Sequence, residues 1–226
     1  MNRDSNLYTI VYASIMVVFV ALLLAFTSES LRSYQKENEA NDKRQQILRS
    51  VNVSVSGVET VKKYNELIKE SFLINEKGQR VDGDAFNVDA ANMIAENKYP
   101  VFVANVNGKT KYILAMYGAG LWGPIWGYMS MNDDGNLIYG TDFSHQGETP
   151  GLGAEIATRS FSSQFSGKHL FQNGRFTSVT IVKPGKSVQG KDYVDGITGG
   201  TITSAGVDRM IQQSLERYVE FLKTIN

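Results

Sequence analysis

Residues 100–131 read PVFVANVNGKTKYILAMYGAGLWGPIWGYMSM, and this stretch decides the fold. Asn107-Gly108 sits between two runs rich in β-branched and aromatic residues, Pro100–Val106 and Lys109–Tyr117. Asn and Gly both tolerate the positive φ of a type I′ turn, so the pattern predicts a tight hairpin. Ile125–Met131 and Leu137–Phe143 flank a second turn over Asn132–Asn136, and Arg175–Val182 reads as a further strand. Outward from these strands the period changes. Val61, Tyr64, Leu67, Ile68 and Phe72 recur at helical spacing and predict a helix over Val58–Phe72. Gly78 and Gly83 mark loops, and Asp89–Glu96 fits a short helix. Ser204–Ile225 closes the chain as an amphipathic helix with Val207, Met210, Ile211, Leu215, Tyr218, Val219 and Leu222 on its apolar side. The order predicts an α+β domain: a mainly antiparallel, twisted sheet with flanking helices.

A different physics governs the N-terminus. No charge occurs from Ser5 to Ser28, and Leu7–Phe26 is almost wholly apolar. About 20 residues at ~1.5 Å each cross a hydrocarbon core of ~30 Å. No small-residue cleavage pattern follows, so the segment reads as one uncleaved transmembrane helix, with Tyr8 and Tyr12 at an interfacial end. Glu29–Ser50 is polar and helix-favouring, a stalk that continues the anchor. The expected organisation is a tail and anchor over 1–28, a helical stalk over 29–50, and the α+β domain over 51–226. Arg32, Lys36, Lys43 and Arg44 follow the span while only Arg3 precedes it, and that count by itself places the domain in the cytoplasm.

Composition restricts the chemistry. The 226 residues carry 23 basic and 23 acidic side chains, a balance unlike that of a nucleic-acid binder. There is no cysteine, which removes iron–sulfur clusters, thiolate zinc sites, disulfides and thiol nucleophiles. Two histidines, His145 and His169, cannot build a multi-histidine metal centre within one chain. Any electron carrier held here must be organic. Sixteen of the 21 glycines fall between Gly118 and Gly200, so close backbone approaches concentrate in that region.

Gly118-Ala-Gly-Leu-Trp-Gly123 matches G-x-G-x-x-G, but a strand rather than a helix follows it. It is better read as a bend presenting Trp122 and Trp126, suited to corner packing or to a flat aromatic ligand, than as a dinucleotide site. Ser144, His145 and Glu148 lie close in sequence, yet no nucleophile elbow or zinc-protease motif accompanies them. Glu148-Thr-Pro-Gly-Leu-Gly153 is a turn rich in backbone donors. Asp195-Gly-Ile-Thr-Gly-Gly-Thr-Ile-Thr-Ser204 places four hydroxyls and three glycines directly before the last helix. Thr203 or Ser204 can cap that helix, and its first amides can equally hold a phosphate. The residues alone leave an ordinary capped start and an anion site both open.

The pattern Asp195-Gly-x-Thr-Gly-x-Thr201 resembles the flavinylation motif of proteins that carry FMN covalently. With the N-terminal anchor, the polar stalk, Tyr117-Gly-Ala-Gly-Leu-Trp-Gly123 and the Glu148–Gly153 turn, nearly the whole chain resembles the FMN-binding C subunits of Na+-translocating NADH:quinone reductases. The Gly-Leu-Trp segment sets it apart from the G subunits of ion-translocating ferredoxin:NAD reductases, the rival within the same class. A membrane-anchored binding module without a redox role is the rival from another. The motif usually has Ala before the acceptor, where this chain has Gly200.

The resemblance implies FMN joined through its phosphate to the Thr201 hydroxyl, installed from FAD by a flavin transferase that reads Asp195, Thr198 and Gly199, with Gly200 also among the cofactor-binding residues. It implies a flavin ring along Glu148, Thr149, Gly151, Leu152 and Gly153, with Leu121 and Trp122 nearby and Lys183 paired with the phosphate. It further implies a one-electron relay from an iron–sulfur centre held elsewhere to a flavin on the B subunit, with the A, B, D, E and F subunits of a sodium pump as partners. No acid–base catalysis is expected of the chain by itself. In that family the flavin domain lies on the periplasmic side of the inner membrane, against the basic-residue count.

Overall fold

The computed structural model describes residues 6–225. Helix α1 extends over Asn6–Ser50, and the chain divides into two units between Lys43 and Arg44. In the first unit the apolar side chains from Leu7 to Phe26 are exposed, and this is the one described helix long and apolar enough to cross a membrane. Where the apolar stretch ends, the Thr27 and Ser30 hydroxyls donate to the Leu23 and Phe26 carbonyls, each at 2.8 Å, so both hydroxyls are satisfied within the helix.

The second unit is built on six antiparallel strands in the order β2-β1-β3-β4-β5-β6. Their ranges are β1 Ile68–Ile74, β2 Arg80–Val81, β3 Tyr99–Val106, β4 Lys109–Ala119, β5 Pro124–Met131 and β6 Ile138–His145. The expected hairpin joins β3 to β4, with Asn107 at φ 52° and Gly108 at φ 78°. A small separate pair, β7 Phe171–Gln172 with β8 Arg175–Phe176, is antiparallel. Another, β9 Thr180–Val182 with β10 Tyr193–Asp195, is parallel.

Side chains alternate across the strands, so each face of the sheet meets its own layer. On one face the last turns of α1 are held by polar contacts. The Trp126 indole donates to Gln46 Oε1 at 2.9 Å, Arg49 makes two bonds to Asp142 at 2.8 and 2.9 Å, and the Ser130 hydroxyl donates to the Ser50 carbonyl at 2.6 Å. Ile47, Leu48 and Val51 are fully buried beside them. On the other face lie helix α5, Thr201–Glu216, and the segment holding the short helix α4, Arg159–Ser162, whose Phe161 and Phe165 pack on Phe143. The approach of α5 is close. A Cβ on Gly118 would come within 2.7 Å of Met210 Cβ, and Ser214 Oγ both accepts from the Tyr117 amide at 3.2 Å and donates to its carbonyl at 3.3 Å.

Four expected elements differ. The helix expected over Val58–Phe72 is α2, Glu59–Leu67, and its end becomes strand β1. Short apolar spacing fits both periods, and burial of Phe72, Leu73 and Ile74 against the sheet decides for the strand. Arg175–Val182 is broken into β8 and β9 at Ser178, which takes a left-handed conformation (φ 58°) while its amide and that of Thr177 both donate to the Leu170 carbonyl. The short helix expected over Asp89–Glu96 is reduced to α3, Met93–Glu96. The closing helix begins three residues early, at Thr201, and splits into α5 and α6, Val219–Thr224. At the break between α5 and α6, the buried Tyr218 shares its hydroxyl proton between the Pro100 and Ala115 carbonyls, at 3.1 and 3.2 Å. Tyr218→Phe should therefore cost about 1–2 kcal/mol, read as a lowered urea midpoint with an unchanged slope.

Candidate functional site

The glycine-rich loop after β10 determines how α5 starts. Gly199 is left-handed (φ 78°), Gly200 occupies the N-cap without a side-chain cap, and the first helical bond runs from the Ser204 amide to the Gly200 carbonyl at 2.8 Å. The amides of Thr201, Ile202 and Thr203 consequently lack backbone acceptors. Neither expected cap acts as one. Because the helix starts at Thr201, the Thr203 hydroxyl points away and donates to Glu148 Oε2 at 2.6 Å, while Ser204 Oγ accepts from the Ile197 amide at 2.9 Å. A Cβ on Gly200 would lie 3.1 Å from Ile197 side-chain atoms, so the departure from the usual Ala accompanies a tightly closed loop.

Three segments far apart in sequence meet here around a cleft of about 370 Å³. The bend between β4 and β5, closed by the Gly120 amide on the Gly123 carbonyl at 2.8 Å, contributes Leu121 and Trp122. The turn after β6 contributes Glu148, Thr149, Leu152 and Gly153, and the start of α5 contributes Gly199 to Thr203. Its rim is apolar and open: Leu121, Trp122, Leu152 and Ile202 are 46%, 68%, 43% and 56% exposed. A pocket of this size, with apolar walls and a few placed polar groups, suits a small organic ligand.

Glu148 is the charged group of the cleft and is almost fully buried. Its Oε1 accepts from the Leu121 and Trp122 amides at 2.8 and 2.9 Å, its Oε2 from Thr203, and its own amide donates to His145 Nδ1 at 3.2 Å. Burial pushes its carboxyl up, but the Thr203 hydroxyl, the Trp122 and Leu121 amides and the nearby His145 outweigh that and hold it below the usual carboxylate range.

Nine of the thirteen residues expected at the site line the cleft. The other four lie elsewhere. Asp195 is at the end of β10, its amide and carbonyl both bonded to the Gln164 side chain at 2.9 and 3.3 Å. Thr198 and Gly151 line a separate groove of about 320 Å³, together with Glu155, Phe161 and Gln164. Lys183 sits on the exposed turn after β9 and does not line the cleft. Trp126 faces α1 rather than a ligand, and Ser144 and His145, adjacent on a strand, point to opposite faces. Sequence reading missed Ile202 as a wall and Thr203 as the partner of Glu148. The Glu148–Thr203 contact spans 55 residues and has no local signature.

Residues 120–216 match the family model of the FMN-binding domain. The C subunit of the Na(+)-translocating NADH-quinone reductase of Vibrio vulnificus (strain YJ016) is 30% identical over 208 residues, covering 83% of this chain and 82% of that protein. Among solved structures, the corresponding C subunit from Parabacteroides distasonis ATCC 8503 superposes with a TM-score of 0.84 at 66% identity, over 85% of this chain and 96% of that one. NqrC of Shewanella oneidensis gives 0.70 at 28% identity, over 83% and 98%. Sequence identity and fold converge: this chain belongs to the C subunits of the Na(+)-translocating NADH-quinone reductase, an oxidoreductase complex, and contains their FMN-binding domain.

Proposed function

We propose that the chain carries FMN as a phosphoester on the Thr201 hydroxyl and relays single electrons within the complex, from an iron–sulfur centre held elsewhere to a flavin on the B subunit. One observation carries this reading. The Thr201 hydroxyl lines the cleft, is exposed and makes no hydrogen bond among the described residues, beside three helix amides that lack backbone acceptors. On loading, Thr201 Oγ bonds to the flavin-side phosphorus of FAD, the pyrophosphate P–O bond breaks, AMP departs, and the hydroxyl proton passes to a base of the flavin transferase. When bound, FMN supplies one-electron chemistry that no side chain here offers.

The chain's own residues do the rest. The amides of Thr201, Ile202 and Thr203, at the positive end of a 16-residue helix, hold the phosphate charge. Leu121, Trp122, Leu152 and Ile202 would supply the apolar walls against which the flavin could pack. Asp195, at the end of β10, and Thr198, on the loop that follows, lie outside the cleft and stay available to the transferase. Lys183 lies outside the cleft, on the exposed turn after β9. Intact mass after co-expression with a flavin transferase tests the reading: a gain of one FMN less water, retained on the peptide holding Thr201, is expected, and an unmodified mass would point to a non-redox module.

The proposed setting is the inner membrane, with the A, B, D, E and F subunits as partners and the flavin domain on the periplasmic face. Because the chain has no native cysteine, a single Lys186→Cys substitution on the exposed turn after β9 reports orientation directly. Labelling by a membrane-impermeant maleimide in intact spheroplasts is expected; labelling only after permeabilisation would reverse the orientation.

A further inference from the structure

We propose that Glu148 is the positioning residue of this cleft: its carboxylate locks the 120–123 bend, the 148–153 turn and the first turn of α5 into one frame and so presents the Thr201 hydroxyl for loading. The Thr201 part rests on the function proposed above; the frame itself rests on the structure.

Both carboxylate oxygens are committed to the frame. Oε1 closes the bend through two successive amides, and Oε2 takes the Thr203 hydroxyl two residues beyond Thr201. Two glycines are required by the same group. A Cβ on Gly120 would collide with Oε1, and one on Gly153 with Oε2 and the Thr203 hydroxyl. Since Thr203 is held by Glu148, the rotation of the first turn of α5 is set, and Thr201 is turned outward with its hydroxyl free. The carboxyl is held below its ordinary range, so the frame persists as an anion at neutral pH. An acid depressed in this way contributes stability above its unfolded pKa and loses it as pH falls through the folded one.

The experiment separates geometry from charge. Glu148→Ala removes all three bonds. Glu148→Gln can still accept from both amides through its Oε1 and can donate to Thr203 Oγ1 through its amide nitrogen. Thr203→Val is nearly isosteric and removes one bond. Each is made in a Trp126→Phe background, where Trp122 is the sole tryptophan, and the flavin-free full-length protein is measured first. Time-resolved anisotropy of Trp122 should fall in Glu148→Ala and remain high in Glu148→Gln.

Loading by transferase and FAD, followed by intact mass, should slow about tenfold or more in Glu148→Ala. The loss should lie in kcat rather than KM, with Thr203→Val intermediate and most of the rate recovered in Glu148→Gln. In the loaded Glu148→Gln protein the flavin midpoint potential should rise, because an anion beside the ring has been neutralised. Unchanged anisotropy and loading in Glu148→Ala would overturn the proposal, as would a Glu148→Gln protein as impaired as Glu148→Ala. If Glu148→Ala does not fold, unchanged anisotropy and loading in Thr203→Val would do the same. Failure of the parent protein to load at Thr201 would sink the proposed function, while the anisotropy of the flavin-free protein would still decide the role of Glu148.

Discussion

Thr201→Ala is expected to give a folded protein with no covalent flavin. Four hydroxyls crowd the start of α5, and the structure distinguishes them. Thr203 is buried and donates to Glu148, and Ser204 is buried and accepts from Ile197. Thr198 is outside the cleft and lines a separate groove. Of the four, Thr201 lines the cleft with a hydroxyl that makes no hydrogen bond among the described residues. The fold should tolerate the change, since Thr201 is exposed at the first helical residue and Ala is the better helix former there, so stability should move by about 0.5 kcal/mol or less. Flavin fluorescence in a denaturing gel should vanish together with the mass increment, while the thermal transition stays in place. Fluorescence persisting in that variant would remove Thr201 as the acceptor.

Arg49→Ala should have the largest effect on stability. Asp142 is nearly buried on β6 and receives both of its bonds from this guanidinium. Losing one partner of a buried pair costs about 3–5 kcal/mol, and the 38% exposure of Arg49 lowers the expectation to about 2–3 kcal/mol at neutral pH. In a unit of this size that is a fall in Tm of about 5–10 °C.

The pH dependence gives the sharper test. Burial raises the Asp142 carboxyl, and the Arg49 bonds and charge oppose that without cancelling it. An acid raised in the folded state binds its proton more tightly there than in the unfolded chain, so stability falls as pH rises through the window above the ordinary carboxylate value. Without Arg49 the rise is larger and the window wider. The Tm deficit of Arg49→Ala should therefore be greatest near pH 7 and shrink as pH falls toward 4. A deficit that is constant with pH, or that grows in acid, would show that the pair is not its cause.

Much of the frame was legible from local chemistry. Asn107-Gly108 marked the hairpin because both residues accept the left-handed conformation it requires, and the alternation around it marked the sheet. The uncharged N-terminal stretch marked its own helix by length and apolarity. Legibility failed where two periods compete or where a side chain finds a distant partner. Ile68–Phe72 carries helical spacing, yet pairing with β3 and burial on the sheet make it a strand. Thr203 looks like a cap in sequence, but a buried carboxylate 55 residues away takes its hydroxyl.

By itself, then, the sequence determined what depends on neighbours along the chain: the turn, the apolar span, the absence of any thiol and the threonine-bearing loop before α5. The tertiary structure decided which of four hydroxyls is left free in the cleft, that Trp126 serves the end of α1 while Trp122 opens onto the cleft, and that Asp195 and Lys183 stand outside it. The reason is physical. Dihedral preference and hydropathy act over a few residues, whereas the cleft is made by strand register and by the close crossing of α5 over β4, where glycines at 118 and 206 let the helix approach the strand. Only that approach brings Thr203 to Glu148.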